Sequence, residues 1–391
     1  MTPVSILEFL LSVTSTFLEL ILVGMVVSWG WVLIRLARGL PLIPTEPFLQ
    51  IPPARWGLGT ILLVVILQLG AGRVAAEGCH ALLGFKVEEL LTTENPKPAP
   101  PTPDGEMADD EDAEEIAIQR SASIARRLMI WNASYNGLFL LAFPWLFRLV
   151  SGAGFAALGF TTRRWTEQLQ VGIVAGLLAA PVVYSIQFLA VKVFEVRAHP
   201  IEKMLQASFD PALAILAMTS TIVLAPLAEE VMFRGVLQGW LTRVWNDQIP
   251  RLMRGGRQAQ ATPMAEGAVV GPTAPEILQT TVESPGPQAP NAVCWPAVIV
   301  TSAVFAAVHG PQWPAPIALF VFSMVMGAVY QRTGSLLSAI VIHGLFNGCS
   351  TLLLIVQQLG RSLELPDPTV LAPAPAPAVA WVWESLVRLL S

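Results

Sequence analysis

Long runs of apolar residues recur along almost the whole chain, and they restrict its folds more than any other feature. A membrane-spanning helix needs roughly 20 predominantly apolar residues. Eight segments reach or approach that length: 5–34, 56–76, 128–150, 168–194, 211–242, 295–310, 313–331 and 335–358. The sixth is short and bounded by Pro296 and Pro311, which predicts a partial span or a segment tilted against its neighbour. The fifth is long enough to extend beyond the hydrocarbon. Composition agrees. Only 13% of residues are charged and the mean hydropathy is +0.60, whereas soluble domains carry about 25% charged residues. The expected fold is therefore an all-α polytopic transmembrane helical bundle of about eight spans. The apolar stretch Val4 to Ile34 has no basic segment before it and is too long for the core of a cleaved signal. It reads as a retained first span of an integral, multi-pass membrane protein.

Two polar segments interrupt the spans. Residues 92–120 begin Pro-rich (NPKPAPPTPDG) and turn acidic, with Asp109, Asp110, Glu111, Asp112, Glu114 and Glu115. Little apolar surface is available there to offset the entropy of ordering, so disorder is expected. Residues 247–293, rich in Gly, Pro, Ala, Gln and Thr, read as a flexible insertion. The divisions expected are an N-terminal membrane region (1–150), a core carrying that insertion (151–360), and a Pro/Ala-rich tail (361–391). The tail contains APAPAPA, a semi-rigid linker composition, and closes with a segment suited to an interfacial helix bearing Trp381 and Trp383.

Several functional classes drop out. The three cysteines and four histidines form neither CxxC nor HExxH, so no disulfide framework or standard zinc signature is present. No basic stripe marks a nucleic-acid face. The partner that composition implies is membrane lipid.

Ionisable residues inside a span cost about 2.5–3.5 kcal/mol each on insertion scales, so they require a reason. The fifth segment carries LAPLAEEVMFRG, with Glu229, Glu230 and Arg234 in an otherwise apolar run. Glu230 and Arg234 share a helix face and can pair. Glu229 is rotated about 100° away, free for another task. The sixth segment places Phe305 and His309 on one face; the eighth places His343 and Asn347 on one face. Taken singly, each set fits a packing or hydrogen-bonding role as well as a chemical one. Together they supply what acyl hydrolysis needs. A carboxylate and an imidazole can activate water, and a second imidazole with a carboxamide can stabilise an oxyanion.

The ordered elements LAPLAEEVMFRG, VFAAVHG and RTGSLLSAIVIHGLFNG resemble the three motifs of the CPBP family of intramembrane peptidases, which comprises CAAX proteases and bacteriocin-processing enzymes and is also called the Abi family. The resemblance covers roughly 155–357, interrupted by the 247–293 insertion. It implies an endopeptidase hydrolysing a peptide bond in a membrane-associated protein or peptide. Glu229 would be the general base and His309 its partner on the water. His343 and Asn347 would form the oxyanion site, Glu230 and Arg234 would support it, and Phe305 would pack beside it. Whether such a site works through water alone or through a divalent metal stays open: Glu229, His309 and His343 could supply a zinc-like ligand set.

Two alternatives stand beside this reading. One is a non-catalytic membrane scaffold or immunity-type binding protein on the same helical frame. The other is a transporter using the carboxylates as a proton relay. A relay would spread ionisable groups through several spans, whereas these converge in the second half. No GxSG-like nucleophile signal is present. Asp210-Pro211-Ala212-Leu213 has no accompanying GxGD, and Asn132-Ala133-Ser134 lies at the edge of a span, where glycosylation is not expected. Glu19, in the middle of the first span, receives no role.

Overall fold

A computed structural model describes residues 3–42, 44, 46–92, 110–194, 211–251 and 292–364. Among them the secondary structure is helical, with no strand. The elements are α1 (Pro3–Ala37), α2 (Leu58–Leu83), α3 (Val87–Thr92), α4 (Asp110–Ser151) and α5 (Trp165–Val193), followed by a long helix α6 (211–251). α7 (Trp295–Val308), α8 (Ala315–Thr333) and α9 (Leu336–Glu364) complete the bundle. Seven of these helices are long and apolar enough to cross a membrane, and α7 is the shorter apolar one, with 14 residues. The chain is an integral, multi-pass membrane protein.

Two expectations about loops need correction. The acidic stretch is not loop throughout: from Asp110 onward it is the first part of α4. Carboxylates clustered at a helix N-terminus interact favourably with its partial positive charge, so this charge pattern favours helix where composition alone suggests disorder. Likewise α6 runs to residue 251, past the expected start of the insertion at 247. The remainder of the two loops (93–109 and 252–291) and the Pro/Ala-rich tail from 365 lie outside the described residues, as do the expectations for Trp381 and Trp383.

The site-bearing helix α6 lies between two apolar layers. On one side, Phe139, Phe143 and Phe147 of α4 pack with Ala228, Val231 and Val236 of α6 and with Trp56. These phenylalanines recur every four residues, so they line one stripe of α4. On the other side, Phe305 of α7, Phe322 and Met326 of α8 and Ile342 of α9 form a second cluster that reaches Phe233 of α6. Small residues let the helices approach closely, as is usual in membrane bundles. A Cβ at Gly172 of α5 would lie 2.7 Å from the Val341 Cβ of α9, and one at Gly344 would lie 2.7 Å from the Ile222 carbonyl oxygen of α6.

α6 is not a uniform α-helix. Turns with π-type hydrogen bonding, Thr219–Leu224 and Val231–Gln238, flank an α-helical turn at Ala225–Glu230. Such wide turns inside helices often occur at functional sites. Pro226 explains part of the pattern. Ala225 N–H bonds to Ser220 O, and the next π-type donor, at position 226, is a proline nitrogen with no hydrogen. The Thr221 carbonyl is thus left for a partner outside the helix.

Candidate active site

The three sequence elements meet around α6. Glu230 and Arg234 are both fully buried, and Arg234 Nε lies 3.1 Å from Glu230 Oε2. The guanidinium also sits over the Phe305 ring, 5.1 Å from its centroid. The other oxygen of Glu230 faces His343, whose Nδ1 is 2.9 Å away. Glu230 therefore joins the cation on its own helix to an imidazole on α9. The nearby cation and imidazole offset part of the cost of burying this carboxylate.

Glu229 is in a different position. It is partly exposed, with 25% side-chain accessibility, and its nearest basic neighbour is His343 Nε2 at 3.8 Å from Oε2. That separation is too long for a hydrogen bond, and Oε2 has no partner among the described residues. The two adjacent carboxylates thus differ sharply in environment. His343 stands between them, Nδ1 towards the paired one and Nε2 towards the free one. Sequence reasoning did not foresee this link; it placed His343 beside Asn347 and left its second nitrogen unassigned.

His309 closes α7, where its backbone leaves helical geometry. Its Nδ1 is 2.7 Å from the Phe305 carbonyl oxygen. A carbonyl only accepts, so Nδ1 carries the proton, and in the neutral ring Nε2 presents a lone pair. Phe305 is fully buried between the two imidazoles, its ring centroid 4.7 Å from that of His309 and 5.8 Å from that of His343. Phe322 packs edge-on against His343 from α8. The aromatic shell fixes both rings and keeps the far side of the site apolar.

Asn347 does something the sequence did not indicate. Its Nδ2 donates to Thr221 O at 2.9 Å, the carbonyl that Pro226 leaves without a helical donor. The side chain thereby ties α9 to α6 one turn beyond His343. Gly344, next to His343, meets Ile222 backbone closely for the same reason: the two helices cross here. The signal for both was in the sequence, as a proline in α6 and glycines beside the α9 histidine and asparagine. Their pairing needs the three-dimensional crossing.

The zinc-like ligand set is not assembled. Among the described residues, no group of three or more His, Cys, Asp or Glu is arranged to hold a metal ion. Two donors on one zinc ion, each bound at about 2.0 Å, lie closer together in a tetrahedral site than the 3.8 Å between Glu229 and His343.

Outside the three elements, a polar cluster on α4 adjoins the site. Ser220 Oγ bonds to Asn132 Oδ1 at 2.9 Å, and Asn132 Nδ2 bonds to the Tyr135 hydroxyl at 3.2 Å. The Asn136 side chain is a further hydrogen-bond partner of Tyr135. Sequence reasoning weighed Asn132 only as a glycosylation pattern and did not single out Tyr135.

Residues 211–257 and 267–349 match a family model described as type II CAAX prenyl endopeptidase, Rce1-like. The matched residues hold all three motifs, in line with the resemblance drawn from them. No curated protein and no solved structure matches the chain.

Proposed function

We propose that the chain is a CAAX-type intramembrane endopeptidase that hydrolyses its peptide bond through a water activated by Glu229, with His309 and His343 as the assisting imidazoles. One observation carries the reading: of two neighbouring carboxylates in a membrane helix, Glu230 is fully buried against Arg234 and His343, while the Glu229 side chain is partly exposed and comes no closer than 3.8 Å to a basic group.

The steps follow from the donors available. Glu229 accepts a proton from water as its oxygen attacks the scissile carbonyl carbon, and the lone pair on His309 Nε2 orients the second proton. A new C–O bond forms, and the carbonyl oxygen becomes an oxyanion. In its doubly protonated form His343 keeps Nδ1–H on Glu230 and presents Nε2–H to that oxyanion. The C–N bond then breaks as the proton held by Glu229 passes to the leaving nitrogen. Asn347 keeps α9 in register on α6 so that His343 stays in place.

Mass spectrometry of membranes containing the wild-type chain or Glu229→Gln tests the reading, together with a quenched-fluorescence peptide ending in a farnesylated CAAX box. Wild type is expected to generate cleavage products that the variant lacks. A lost general base costs about 10²–10⁴-fold in rate. Identical products from both proteins, each correctly inserted, would favour the scaffold reading instead.

A further inference from the structure

We propose that a cavity between the end of α6 and the segment leading into α2 is a binding site for the phosphate group of an anionic glycerophospholipid. The cavity measures about 580 Å³, with residues 52–55 on one wall and Arg243, Asp247, Gln248 and Arg251 of α6 on the other. Among the described residues that line it are three arginines, Arg55 included, and one carboxylate, a net charge of +2. A cleft dominated by one sign of charge concentrates counter-ions of the other. Neither Arg55 nor Arg251 has a hydrogen-bond or ion-pair partner among the described residues, and both side chains are exposed.

The walls are fixed in place. Arg243 Nη1 donates to the Ala54 carbonyl oxygen at 2.8 Å, and Trp56 Nε1 donates to Val236 O of α6 at 2.9 Å. The segment before α2 is thereby fastened to α6 at two levels. On a regular α-helix Arg251, eight residues after Arg243, would be rotated about 80° from it. Between them lies another turn with π-type hydrogen bonding, Val244–Gln248. A wide turn rotates less per residue, which brings Arg251 back towards the face of Arg243. Arginine is the side chain best matched to phosphate, because its planar fork donates two parallel hydrogen bonds to the oxygens.

Depth identifies the source of the phosphate. α2 begins at Leu58, three residues after Arg55, and its first turns carry the exposed leucines Leu58 and Leu62. These belong in hydrocarbon, so Arg55 lies just outside it. Trp245, exposed on α6 two residues after Arg243, suits the interface, where tryptophan is enriched. The cavity is thus at the level of the headgroups, where basic pockets between helices take anionic lipids. Inorganic phosphate shares the chemistry, but only a lipid is held at that level by its own chains. The site is distinct from the carboxylates: Arg243 is 14 residues beyond Glu229, about 21 Å along a helix. It does not depend on the role given to Glu229.

The test follows the Tm of the full chain, delipidated in neutral detergent, as phosphatidylglycerol is titrated in. Phosphatidylcholine and inorganic phosphate are the comparison ligands. A ligand that binds only the folded state raises Tm in a concentration-dependent way. Phosphatidylglycerol is expected to do so at concentrations where the other two do not. Arg55→Gln and Arg251→Gln should each weaken its apparent affinity about fivefold, the usual contribution of one basic residue at an anionic lipid surface, and the double variant should weaken it further. Without lipid these variants should keep the wild-type Tm, since neither side chain has a partner to lose. The double variant Arg38→Gln/Arg148→Gln removes the same charge from exposed positions outside the cavity and should bind as wild type does. An equal loss of affinity in that control would reduce the effect to diffuse attraction and overturn the proposal. So would equal stabilisation by phosphatidylcholine or inorganic phosphate, no stabilisation of the wild type by phosphatidylglycerol, or undiminished binding in Arg55→Gln/Arg251→Gln.

Discussion

The carboxylates of two spans, α1 and α6, have surroundings that could hardly differ more. On α1, Glu19 sits in a helix whose apolar stretch is 17% buried within the bundle, and its side chain faces outward. On α6, Glu230 is fully buried, paired with Arg234 and bonded to His343, with Glu229 beside it. The insertion cost argument applies to both helices, yet only one of them assembles chemistry. An ionisable residue in a span marks a site when other helices bring it partners. It does not do so through its charge alone.

The sharpest way to break this comparison is to strip a partner from each region. Arg234→Leu leaves Glu230 buried with its cation gone, and losing one member of a buried pair costs about 3–5 kcal/mol. Thermal unfolding of the purified protein should show this as a large drop in Tm. Glu19→Gln should leave both Tm and cleavage unchanged. Equal sensitivity of the two positions would undo the comparison.

The next effect concerns the crossing of α6 and α9. Adding bulk at Gly344 brings a Cβ to 2.7 Å from the Ile222 carbonyl oxygen, so the helices must move apart. Gly344→Val is expected to cost about 1–3 kcal/mol, the range for overpacking, and to reduce kcat because His343 moves with α9. Unfolding curves and initial rates read the two effects separately. The equivalent change at Gly30 of α1, where nothing lies within 4 Å of an added Cβ, should do neither.

A smaller effect separates clamp from catalyst at Asn347. Removing its amide orphans the Thr221 carbonyl, and an unsatisfied polar group of this kind costs about 1–3 kcal/mol. Asn347→Ala should therefore lower Tm as well as turnover. A loss of turnover with Tm untouched would return Asn347 to the oxyanion role expected from the family resemblance.

The sequence revealed the parts of this protein more readily than their connections. Spans were legible because a bilayer demands long apolar runs, and α7 stood out as short because prolines bound it. The Glu230–Arg234 pair was legible because both residues lie on one helix, four positions apart. What lay across helices was hidden. His343 bridging two carboxylates, Asn347 filling the gap left by Pro226, and the Asn132–Tyr135 pair reaching α6 through Ser220 all depend on helix crossings that no local spacing encodes. The acidic start of α4 was misread for another reason: composition weighs charge against burial, and neglects the favourable placement of carboxylates at a helix N-terminus.

The division of labour between Glu229 and Glu230 is the centre of this account, and replacing each with glutamine in parallel tests it directly. Turnover of the farnesylated CAAX peptide and Tm would be measured for both variants. Glu229→Gln is predicted to abolish turnover and leave Tm at the wild-type value, whereas Glu230→Gln, which strands Arg234, lowers Tm. A folded Glu229→Gln that still cleaves at the wild-type rate would contradict the account.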